Sequence, residues 1–260
     1  MANYFGNGSN NSYNGGSSDD VIFGFGGDDD LWGRGGDDFI SGGNGNDDLY
    51  GGDGKDTLKG DAGNDRLYGN NGDDNLNGGY GNDSLYGNKG DDNLNGGNGN
   101  DYLEGGNGYD NLSGGNGNDS LYGNNDDDVL FGDAGNDSLY GGNGDDILEG
   151  DEGNDNLYGN AGDDVLIGDA GNDNLYGGLG KDILVGGPGW DTFDYDSRND
   201  SPDNSNRDII VDFDGNGNNP GDEIDLSGID ANGSAVGNGT FALSDLSYSG
   251  GILTADISGT

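Results

Sequence analysis

Aspartate is the residue through which this chain could do chemistry. At one fixed phase it recurs every nine residues: Asp20, Asp29, Asp38, Asp47, Asp56, Asp65, Asp74, Asp83, Asp92, Asp101, Asp110, Asp119, Asp128, Asp137, Asp146, Asp155, Asp164, Asp173, Asp182 and Asp191. There is no histidine and no cysteine. That excludes imidazole- or thiolate-bound zinc, Ser-His-Asp and Cys-His triads, and any disulfide framework. What remains is carboxylate chemistry. Asp oxygens together with the carbonyls of a glycine-rich turn form an all-oxygen donor set. Such a set suits Ca2+, which takes ~6–8 oxygens, better than Mg2+, which demands tight octahedral geometry and keeps its water.

A nonapeptide repeat places these aspartates. From Gly15 to Asp194 the chain reads in 20 units without insertion or deletion, as in Gly42-Gly43-Asn44-Gly45-Asn46-Asp47-Asp48-Leu49-Tyr50. Position 1 is Gly and position 6 is Asp in all 20 units; position 4 is Gly in 18, with Ser18 and Asp126 as exceptions. Position 8 is apolar throughout, mostly Leu. Clustered glycines permit positive φ and close backbone approach, so positions 1 to 6 are expected to form a turn. Positions 7 to 9 are expected to form a short strand that points position 8 inward. One apolar side chain per nine residues cannot bury itself alone, but stacked units bury a continuous column. Alternation of Asn at position 5 (Asn46, Asn64, Asn82) and of an aromatic at position 9 reveals an 18-residue period. The expected fold is all-β: a parallel β-roll, a two-sheet β-solenoid of 18-residue coils, with ten coils over residues 15–194, a degenerate N-terminal cap over 1–14 and a C-terminal β cap over 195–260.

Composition points to the same cation. Leu, Ile, Val and Phe supply 47 residues, or 18%, and the formal charge is −44, a balance that without a partner describes a disordered chain. In a roll the aspartates form two columns with neighbours roughly 5 Å apart, where bare carboxylates repel. Nine gaps per column would hold up to 18 Ca2+, bringing −44 to −8. The chain is therefore expected to be disordered without metal and to fold as Ca2+ binds. The plainer reading, a solvated acidic surface, conflicts with one phase held through 20 units. Position-5 acids such as Asp19, Asp28, Asp37, Asp73 and Asp91 vary with Asn and Lys and read as surface.

These residues resemble the RTX (repeats-in-toxin, hemolysin-type) calcium-binding nonapeptide, Gly-Gly-x-Gly-x-Asp-x-apolar-x. The resemblance implies a parallel β-roll with Ca2+ held between turns of successive coils, and an extracellular protein exported by type I secretion machinery, unfolded in a low-calcium cytosol. The start of the chain has no apolar signal core, consistent with that route. Phe25 and Arg34 in place of the second Gly, with Ser18 and Asp126 in place of the third, mark the first coils and residues 124–127 as the weakest sites. After Asp194, Trp190-Asp191-Thr192-Phe193-Asp194-Tyr195 and Gly221-Asp222-Glu223-Ile224-Asp225-Leu226-Ser227 look like the C-terminal region of serralysin-type proteases and alginate epimerases, which caps the roll and serves export. Asp212 to Glu223 also fits EF-hand loop spacing, but its strand-like flanks favour a hairpin loop.

Two further functions bear on these residues. A glycosidase-type carboxylate pair needs one acid raised by burial in an apolar pocket, which the sequence does not offer; the chain reads as non-enzymatic. Trp32, Tyr50, Tyr68, Tyr86, Tyr122, Tyr140, Tyr158 and Tyr176, broken by Glu104, form a column on one outer face. Such a column could bind an extracellular glycan or cell surface, or simply stabilise in-register strands; alternatively the chain as a whole is an accessory module of a secreted protease or epimerase. The negative charge argues against nucleic acid, and no apolar run is long enough to span a membrane.

Overall fold

The computed structural model describes residues 3–195, 208–213, 221–225, 246–249 and 252–255. It is all β. Two sheets of 14 and 12 strands are built by alternate strands, so the chain crosses from one sheet to the other at every turn. Within the roll, pairing is parallel with an offset of 18 residues, as between β11 (Asn93–Asn98) and β13 (Asn111–Asn116), where Leu94 faces Leu112. The 18-residue coil of two nonapeptides is therefore the structural unit.

Most strands are longer than positions 7 to 9 alone. They run six residues, from position 7 through position 3 of the next unit, as in β10 (Ser84–Lys89) and β12 (Tyr102–Asn107). Position 8 and the position-1 glycine both point inward, so the core needs one large and one absent side chain per strand. The position-8 residues from Ile22 to Phe193 form one continuous column, each at most 2% exposed. Burying a Leu contributes ~1.5–3 kcal/mol, and one such residue per nine is thin for a protein core.

The roll extends beyond residues 15–194 at both ends. Strand β1 (Asn3–Asn7) pairs in parallel with β3 (Val21–Gly26), and β2 (Ser12–Asn14) with β4 (Asp30–Gly35). The N-terminal cap is thus itself a coil. Tyr4 and Tyr13 stand opposite Ile22 and Leu31, and their rings stack at 4.1 Å, closing the core with a polar-tipped pair. At the other end β23 (Ile209–Ile210) adds to β21 (Ile183–Val185) and β24 (Glu223–Asp225) to β22 (Thr192–Asp194). An antiparallel hairpin of β25 (Leu246–Ser249) and β26 (Ile252–Ala255) then joins the first sheet beside β23. It ends the parallel stacking there. Among the described residues no helix is long and apolar enough to cross a membrane.

Candidate metal centre

Each coil has two turns, which lie along two opposite edges of the roll. Edge I carries Asp20, Asp38, Asp56 and onward to Asp182; edge II carries Asp29, Asp47, Asp65 and onward to Asp191. All 20 are buried, at most 3% exposed. Their backbones order them: from Asp38 onward, Oδ1 of each accepts the N–H of the aspartate one coil earlier, at 2.7 Å from Asp20 to Asp38, 2.8 Å from Asp110 to Asp128 and 3.0 Å from Asp173 to Asp191. One oxygen is thereby spent. The other, Oδ2, is buried without a hydrogen bond in every repeat aspartate from Asp29 to Asp173. An orphaned ionised oxygen costs several kcal/mol unless something charged or donating meets it.

The position-1 glycines shape the space around it. A Cβ on Gly96 would sit 2.5 Å from Asp101 Oδ2 and 2.6 Å from the Gly114 carbonyl oxygen of the next coil. Only glycine leaves that cradle open. An Oδ2 without an N–H partner and a backbone carbonyl oxygen then lie side by side, which is the donor set of a hard divalent cation. Burial raises Asp74, Asp128 and Asp164 to about 8, and column neighbours add to it; for Asp128 these are Asp110 and Asp146. The residues fit Ca2+.

Some site features were not read from the sequence. Position 5 is surface-exposed, as expected, yet it forms a second ladder. Asn64 Oδ1 accepts the Asn82 N–H at 2.7 Å, and the same bond continues along edge II from Asn10 to Trp190. Edge I uses Asp instead, with Asp127 accepting from Asp145 and Asp145 from Asp163. Both aspartate columns also continue past Asp191: Asp208 accepts the Asp182 N–H at 3.0 Å, and Asp222 the Asp191 N–H at 3.2 Å. Each precedes an apolar residue by two, Ile210 and Ile224, which is the Asp-x-apolar signature with the glycines gone. At the N-terminal end Asn11 takes the aspartate position, a neutral stop to edge II.

The departures from the repeat keep its backbone. Phe25, Arg34 and Asp126 all hold positive φ, at 75°, 80° and 74°, where neighbouring units have glycine. Asp212, first residue of the EF-hand-spaced stretch, uses both carboxylate oxygens on the N–H groups of Gly186 and Gly187. Residues 214–220 of that loop lie outside the described residues. On the outer face of the first sheet, Glu149, Asp151 and Asp169 bring carboxylate oxygens within 4.8 Å of one another.

The aromatic column lies on the second sheet. Trp32, Tyr50, Tyr68 and Tyr86 stack at 4.9–5.3 Å with planes within 5°, as do Tyr122, Tyr140 and Tyr158 at 4.7–4.8 Å within 3°. Tyr102, two residues before Glu104, fills the gap with a tilted ring and donates its hydroxyl to Glu104 at 3.0 Å. Within the stacked runs, ring faces are covered by neighbours and edges face solvent.

Comparison with known families gives the class. The family model for the RTX calcium-binding nonapeptide repeat matches residues 5–40, 41–76, 68–103, 77–112, 104–139, 140–175 and 167–201. The chain belongs to that family, and the roll is a calcium-binding structural module. A search of curated proteins gives no match.

Proposed function

We propose that this protein is a secreted calcium-folded roll without catalysis of its own, in which Ca2+ binds between successive turns along both edges. The carrying observation is the file of buried Oδ2 atoms from Asp29 to Asp173, each beside a glycine cradle and without a hydrogen bond. Asp208 and Asp222 lengthen each column, which then offers ten gaps per edge between repeat aspartates. Twenty divalent ions would carry +40 against the formal −44. Affinity in the range of ~10⁻⁴–10⁻³ M, usual for extracellular modules, would keep the chain open in a cytosol and close it outside.

The repeat aspartates raised by burial sit inside turns; the groove of about 310 Å3 between Trp32, Arg34 and Tyr50 holds none of them, and the one of about 600 Å3 beside Asn95 and Ser113 holds a single burial-raised acid, Asp151, on an open polar face. The covered ring faces favour a structural role for the aromatic column, since sugar platforms need a free face. Equilibrium dialysis of the full chain against Ca2+ tests the metal reading. Uptake approaching two ions per coil is expected; saturation at one or two ions per chain contradicts it.

A further inference from the structure

The two edges are alike in their buried aspartates and differ in what surrounds them. On edge II, Asp83, Asp101 and Asp119 are flanked at position 5 by Asn82, Asn100 and Asn118, all neutral. On edge I, Asp128 follows two further acids, Asp126 and Asp127, and Asp146 follows Asp145, all three exposed. Asp126 replaces the position-4 glycine without disturbing the turn: it keeps positive φ, and its Oδ2 accepts the Gly108 N–H at 3.2 Å. Asp127 and Asp145 spend Oδ1 on the ladder, as asparagine does on edge II. Edge I therefore has the same hydrogen-bonded geometry with added negative charge. Beyond its own column, the edge II stretch has Asp133 acting on Asp119 and Glu104 three residues after Asp101, and on edge I the preceding cation is Lys89, two coils before Asp128. The buried Oδ2 atoms of Asp110, Asp128 and Asp146 are themselves unpartnered.

We propose that the edge I stretch from Asp110 to Asp146 binds calcium more tightly than the Asn-flanked edge II stretch from Asp83 to Asp119, filling before it and emptying after it. This rests on the calcium reading above. Residues 124–127, which break the repeat, thereby belong to the tighter of the two stretches. A carboxylate within about 7 Å of a divalent ion, screened at physiological salt, corresponds to roughly a three- to tenfold difference in affinity.

Hydrogen exchange read by mass spectrometry on the full chain, at graded free Ca2+, separates the edges because each nonapeptide lies on one of them. Residues 123–131 are expected to keep protection at about three- to tenfold lower free Ca2+ than residues 96–104 and 114–122. The variant Asp126→Gly/Asp127→Asn/Asp145→Asn keeps the ladder acceptors and should erase that difference. Asp30→Asn/Asp48→Asn/Glu104→Gln, which removes equal charge from the outer face of the second sheet, should preserve it. Equal midpoints on the two edges, or equal loss in both variants, overturn the proposal. Exchange on both edges that ignores free Ca2+ instead refutes the calcium reading beneath it.

Discussion

At pH 5 in chelator, with no metal, the chain is expected to gain parallel-β structure that it lacks in chelator at pH 7.5. Desolvation raises the column aspartates Asp38 through Asp173 from 3.8 to values between about 6 and about 8, as for Asp92, Asp137 and Asp128. A carboxyl whose folded value lies above its unfolded one binds a proton on folding. Its contribution is full below the unfolded value and is lost as pH rises through the folded one. The loss therefore begins near the unfolded value of 3.8 and is complete only by about pH 6 to 8, so that part of the contribution remains at pH 5 and none at pH above 8. A proton on Oδ2 removes the buried charge that Ca2+ otherwise neutralises. At pH 5, above the sequence isoelectric point of about 4.1, the chain still carries net negative charge, which keeps it soluble. The same linkage weakens Ca2+ binding in acid, since metal and proton compete for one oxygen. Far-UV circular dichroism in chelator across pH 5 to 8 reads the effect. Equal lack of structure at both ends of that range would remove the carboxylates from the centre of the account.

Gly117→Ala is expected to break the stack where it stands. Gly117 holds φ at 136°, and an added Cβ would overlap the carbonyl oxygen of Gly99 in the coil below. Backbone cannot yield as a flexible side chain does, so the two coils must separate. Strain and lost pairing together are expected to cost about 4 kcal/mol. Because each coil touches only its neighbours, the damage should stay local and split one calcium-driven transition into two. Asn116→Ala, one residue earlier at an exposed position where a sister unit already has Ala134, should change little. A single transition with an unmoved calcium midpoint in Gly117→Ala would show that coil spacing is looser than the structure has it.

Much of this roll is legible in its sequence because nine-residue phasing states three constraints at once: an oxygen ligand, an apolar knob and a residue with no side chain. Asp101, Leu103 and Gly105 each have one role, and the pattern names it. Legibility fails where a role survives without its usual residue. Tyr4 and Tyr13 occupy leucine positions 18 residues before Ile22 and Leu31, but an aromatic with a polar tip reads as surface. Asp208 and Asp222 keep the column carboxylate without the glycines, at offsets of 26 and 31 residues in place of the 18-residue step, which hides them from the repeat. Tyr102 repairs the aromatic column from position 7, which column-by-column reading of position 9 misses. The position-5 ladder escaped for another reason: Asn and Asp look variable on paper, yet both supply the same Oδ1 acceptor.

The claim on which all of this stands is that metal, rather than apolar burial, holds the coils together. Far-UV circular dichroism of the full chain at pH 7.5, in millimolar Ca2+ and again after excess chelator, tests it most directly. A β spectrum that appears with calcium, collapses to that of a disordered chain on chelation and returns on re-addition is the predicted result. A β spectrum that persists unchanged in chelator at that pH contradicts it.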